Sequence, residues 1–199
     1  MALKRGNEIP TIDVCLVTIT PQGSSAELAL DTANKIAVEP QTETQDAIKL
    51  IVKGKLLAQK GKKVTITGNQ ITLTDNVFIP ELAKILQGGT IEYWTSAEKT
   101  ESDAAVTEFG VASYTPPVAG SDEKGEVFTL NAYSAVYDSA GLIVEYEKIS
   151  YPNCQGDPFG LSSEDGVFRV SEYTIQSAPK KGEAPYNLSY VKELPAITA

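Results

Sequence analysis

Residues 47–74 read AIKLIVKGKLLAQKGKKVTITGNQITLT. This stretch holds six lysines, Lys49, Lys53, Lys55, Lys60, Lys62 and Lys63, and no acid. The whole chain of 199 residues has 17 basic and 26 acidic residues, a net charge of −9. Setting the six lysines aside leaves 11 bases against 26 acids, so the segment is +6 and the remainder −15. From Ala47 to Gln59 the pattern alternates: Ile48, Leu50, Val52, Leu56 and Ala58 on one side, Lys49, Lys53, Lys55 and Gln59 on the other. Period two predicts a half-buried strand, because successive side chains leave a strand on opposite faces. Gln59-Lys60-Gly61-Lys62 reads as a turn into Lys63–Thr67, and the pattern resumes at Ile71 and Leu73. Gly68-Asn69 breaks the phase, as a bulge or a second tight turn does. The segment therefore predicts a long hairpin over about 47–74, its tip between Gly54 and Lys63. A basic strand on an acidic molecule suits contact with another copy of that molecule.

Strand signals dominate on both sides of this hairpin. Ile12–Ile19 is β-branched and ends at Pro21 and Gly23, and Lys35–Val38 is a short strand stopped by Pro40. One helix is predicted over about 79–87, with Asp75 and Asn76 as capping groups, Pro80 in the first turn and Gly88-Gly89 at its end. Its apolar side is Leu82, Ile85 and Leu86. Further strands are read at Thr90–Trp94, Glu108–Tyr114, Glu126–Tyr137, Leu142–Ser150, Val167–Gln176 and Tyr186–Val191. Loops are read at Thr95–Asp103, Val118–Gly125 and Tyr151–Asp165. Many short strands and one helix predict a single domain over 1–199: mainly β, an antiparallel β-sandwich or barrel with one flanking helix and a protruding hairpin.

The chemistry-bearing residues are sparse. There is no histidine, which removes the Ser-His-acid triad, the Cys-His dyad and most transition-metal sites. Cys15 and Cys154 read as free thiols, one on a strand and one in a loop, and are too few for a structural zinc site. Glu145 and Glu147 share a strand face at a spacing a glycosidase uses, but solvent-facing strands carry such pairs routinely. Asp157, Glu164 and Asp165 match no known calcium loop. Tyr93, Trp94, Tyr133, Tyr137 and Tyr146 read as core and cross-strand packing before a ligand platform. No cofactor, metal or catalytic residue is therefore assigned, and no enzyme is predicted. The lysine segment lacks the arginines and interleaved aromatics of a single-strand nucleic-acid surface. No apolar run approaches the roughly 20 residues of a membrane helix. The N-terminal MALKRGNEIPTIDVCLVTIT carries Lys4 and Arg5 but no signal core, so synthesis in the cytoplasm is expected.

The order of elements resembles the major tail tube protein of long-tailed bacteriophages of Gram-positive hosts. The resemblance rests on the lysine-bearing hairpin and on the strand-helix-strand run Ile71–Tyr93, which contains LTDNVFIPELAKILQGGTI from Leu73 to Ile91. It extends loosely to about Val191. It implies a β-sandwich whose subunits close into hexameric rings that stack into a tube, a conduit for genome ejection. In such a virion the partners are the chain itself, the tape measure, tail terminator and distal tail proteins, and DNA in transit. The expected ring-to-ring contact is at Lys49, Lys53, Lys55, Lys60, Lys62 and Lys63. A different tail or baseplate component of the same fold, or a small carbohydrate-binding β-sandwich, are the alternatives.

Overall fold

A computed structural model describes residues 9–94 and 110–197. Twelve strands and one helix follow in chain order among them: β1 (Thr11–Pro21), β2 (Leu28–Leu30), β3 (Ala33–Gln45), β4 (Ile48–Val52), β5 (Lys55–Lys60), β6 (Lys63–Asp75), α1 (Pro80–Gln87), β7 (Thr90–Tyr93), β8 (Val111–Thr115), β9 (Phe128–Tyr137), β10 (Ile143–Gly156), β11 (Ser171–Ser177) and β12 (Asn187–Val191). Eight of them form one sheet in the order β2-β1-β9-β10-β11-β6-β3, with β12 also on β10. All its pairings are antiparallel.

The sheet folds over on itself at β10. The first part of β10 pairs with β9 and β12, while Cys154–Gly156 pair with β11. The change of partner coincides with a register irregularity between Tyr151 and Cys154 and with Asn153 at φ 49°. Bulges of this kind bend a strand sharply enough to pass it between layers. Val17, Ile19, Phe128 and Leu130 from one layer then face Ile71, Leu73, Tyr173 and Ile175 from the other. Fully burying each of these side chains contributes about 1.5–3 kcal/mol relative to leaving it in water. Leu82 and Leu86 of α1 join the same core at 0% exposure. Gly156 allows this approach: a Cβ there would lie 2.6 Å from the Leu86 Cβ. The fold is thus the predicted mainly-β sandwich with one flanking helix.

Several local readings are corrected. Pro40 does not stop its strand; β3 runs on to Gln45. Among the described residues β3 pairs only with β6, so Pro40 occupies an edge strand, where a missing N–H is tolerated. Asp75 and Asn76 do not cap α1, whose N-cap is Ile79 with no side-chain hydrogen bond. Asp75 instead accepts hydrogen bonds through Oδ1 from the Thr32 hydroxyl at 2.6 Å and the Val77 N–H at 3.0 Å, fixing the link from β6 to the helix. The predicted loop Tyr151–Asp165 begins with strand, since β10 continues to Gly156, and Cys154 is therefore a buried strand residue. The predicted strand at Val167 begins only at Ser171. Glu108 and the loop Thr95–Asp103 lie outside the described residues, as do Lys4 and Arg5.

Candidate assembly interface

The residues singled out by charge lie on an arm. β3 and β6 remain paired past the core as far as Gln45 opposite Lys63. After a two-residue break on each side, pairing resumes with Ile48 opposite Lys60. The register carries over unchanged, so β3-β4 and β5-β6 are the two legs of one long interrupted hairpin. Its tip is Lys53-Gly54, with φ of 48° and 78°. Two consecutive positive φ values give the tight reversal that suits twisted antiparallel strands, and Gly54 adopts its angle without a Cβ penalty. The expected single strand Ala47–Gln59 is thus two strands, and the tip lies before Gly61, not at it.

The reversal also redistributes the faces, because directly opposed residues share a side of a hairpin. Ile48, Leu50 and Val52 lie with Lys60, Ala58 and Lys55. Toward the body the same side continues through Val64 and Ile66, opposite Thr44 and Thr42. Lys49, Gln59, Ile51 and Leu56 occupy the other side, and Leu57 is the extra residue at a bulge. Leu56 and Lys55 therefore exchange the sides that simple alternation gave them. The expectation of half-burial fails throughout the arm's outer part: every residue of β4 and β5 is exposed. Ile48 is 67% exposed and Leu57 63%. The reason is architectural, since among the described residues the core layer that faces Ile71 and Leu73 is not continued over the arm.

All six lysines are exposed. Lys55 and Lys60 border the apolar side, Lys49 is on the reverse, Lys53 is in the tip, Lys62 lies in the break and Lys63 faces Gln45. The pairing also brings in acids that the 47–74 window left out. Glu43 lies opposite Thr65, and Asp46 immediately precedes the outer hairpin.

The other candidates are dispersed. Glu145 and Glu147 lie opposite Val136 and Ser134 on half-buried strand, and the Tyr190 hydroxyl donates to Glu147 at 3.4 Å. Asp157 accepts from the Gln176 amide at 3.1 Å, while Glu164 and Asp165 point into solvent. Among the described residues no group of three or more His, Cys, Asp or Glu is placed to hold a metal ion. Tyr133 is buried, with the Lys148 ammonium 5.5 Å from its ring centroid, and the Tyr93 hydroxyl donates to Glu81 on α1. Packing is thus the role of both. Cys15 and Cys154 are free; burial pushes the Cys154 thiol up to about 12.

One feature escaped the sequence reading. In the loop before β11, Leu161, Val167, Phe168 and Val170 are all exposed, Phe168 at 94%. The run Val-Phe-Arg-Val has strand composition, and composition alone places it at the start of the strand Val167–Gln176.

No protein-family model matches the chain. No curated protein matches its sequence. Among solved structures, a chain from the cryo-EM structure of the anti-feeding prophage baseplate, 6-fold symmetrised, is similar at a TM-score of 0.40 and 4% identity, over 94% of this chain and 97% of that one. Likeness at that level carries no functional argument.

Proposed function

We propose that this chain is a non-catalytic structural protein of a phage-like tail, which associates with itself into hexameric rings stacked as the tail tube. The observation that carries the reading is the arm. The chain commits residues 45–63 to a hairpin that adds nothing to its own core and exposes Ile48, Leu50, Ile51, Val52, Leu56 and Leu57. An isolated two-stranded hairpin is at best marginally stable in water, and an apolar surface of this extent marks a contact site. Lys49, Lys53, Lys55, Lys60, Lys62 and Lys63 then give the contact its polarity, because the rest of the molecule is acidic. The strand-helix-strand run Ile71–Tyr93 supplies the resemblance to tail tube proteins.

In this reading the acidic surface has a second use. An acidic lumen repels phosphate, so DNA passes without the counterion release that would hold it to a basic wall. Tape measure, tail terminator and distal tail proteins would be the further partners, and the virion tail the location. A carbohydrate-binding module is less favoured, since Tyr133 is buried in packing.

Purified full-length protein tests the proposal. Negative-stain microscopy and sedimentation over a concentration series should give rings or tubes that grow with concentration. A monomer at every concentration would sink the proposal.

A further inference from the structure

β6 joins two exposed apolar surfaces that lie at opposite ends of it. At its first residue, Lys63, it follows the outer hairpin of the arm; at its last, Asp75, it lies opposite Ser171. Immediately before Ser171 comes the exposed run Val167-Phe168-Arg169-Val170. These side chains border an open depression with Val77 and Phe78, just after the same end of β6. The 13 residues of β6 place this loop roughly 40 Å from the outer hairpin β4-β5, and the six of β5 add about 20 Å to the tip. The two surfaces therefore do not cover one another within one chain.

They are complementary. The arm presents Leu50, Val52 and Leu57 among lysines. The loop presents Leu161, Val167, Phe168 and Val170 beside Glu164 and Asp165, with Glu172 exposed at the start of β11. Arg169 is turned back on its own loop, donating to the Ser162 carbonyl at 3.1 Å and the Ser163 hydroxyl at 2.7 Å. We infer that the arm tip of one copy docks on the 161–170 loop of the next, with Phe168 as the anchor. Repeated in one direction, a contact between these two different surfaces is heterologous and propagates head to tail. This rests on the self-assembly proposed above and identifies the surface that receives the arm.

Two variants of the full chain test it: Phe168→Asp in the loop, and Leu50→Asp with Leu57→Asp in the arm. All three side chains are exposed, so each variant should keep the wild-type unfolding midpoint and circular dichroism spectrum. Each alone should raise the concentration needed for assembly by about tenfold or more. Mixed in equal amounts, they should form pairs, of subunits or of rings, that stop at two layers, because each supplies one intact half of the contact. Undiminished assembly of Phe168→Asp, in a protein whose wild type does assemble, overturns the docking and leaves the assembly reading intact. The absence of pairing in the mixture also overturns it. A wild type that stays monomeric overturns the assembly reading and the docking with it.

Discussion

The two halves of β6 have nearly the same sequence chemistry and opposite fates. In its second half Ile71 and Leu73 are fully buried; in its first half Val64 and Ile66 are 56% and 47% exposed. Both halves alternate aliphatic residues with threonine. Between them, Gly68 packs against the Ser177 carbonyl and the buried Asn69 donates to the Pro185 carbonyl at 2.9 Å. The register irregularity at Thr67 marks the point where the strand leaves the body. Alternation therefore reports sidedness alone. Burial depends on whether another layer arrives, and here it arrives for one half only.

The strongest test of this contrast is a matched pair of truncations. Ile71→Ala should cost about 2–5 kcal/mol in urea denaturation, as removal of buried aliphatic volume does. Ile66→Ala should change stability by less than about 0.5 kcal/mol. Equal costs would mean that the arm is covered within the monomer.

Alkali tests the same boundary through the thiols. The Cys154 thiol is held at about 12 against an ordinary 9, by burial first. The folded state thus keeps its proton where the unfolded state loses it. This contribution is complete below about pH 9 and is lost as pH rises from there toward 12. Tyr151, also raised to about 12 by burial, acts in the same direction from pH 10 upward. Denaturant midpoints should fall steadily over that range by an amount worth a few kcal/mol. Maleimide at neutral pH should label the half-buried Cys15 in the folded protein and Cys154 only on unfolding. Rapid labelling of Cys154 in native protein would contradict its place in the core.

Gly156→Ala probes the contact between sheet and helix and should cost about 1–3 kcal/mol, because the new methyl meets Leu86. The smallest effect on monomer stability belongs to the arm lysines. Changing Lys53, Lys55, Lys60, Lys62 and Lys63 to glutamate should leave the unfolding midpoint within experimental error while blocking growth of assemblies in microscopy. Normal tubes from that variant would remove the lysines from the contact.

Much of this architecture was legible in the chain. Pro80 and Gly88-Gly89 bracket the helix, and Asp138–Gly141 turns β9 into β10, with the Asp138 carboxylate accepting from the Ala140 and Leu142 N–H groups. What misled was local chemistry whose meaning depends on distant partners. Pro40 signals a stop unless the strand lies at an edge. Pro152 and Asn153 look like loop residues, yet they form the bulge that passes β10 between layers. Lys53-Gly54 and Gly61-Lys62 are comparable turn signals, and only the unchanged pairing register makes the first a reversal and the second a break. Of the candidate interface, charge and alternation were visible in the sequence. The exposed Phe168 was not, because a strand-forming residue in a loop has the same letters as one in a core.

The register carried unchanged across the break in the arm also has a bearing on how its length can vary. Adding or removing two residues on each leg changes its reach by roughly 6–7 Å. The apolar stripe stays on its original side, because the step is a whole strand period. A single-residue change would instead turn the stripe over. Reach is thus a quantity that can drift in paired steps while the folded body, and the loop at its far end, stay as they are.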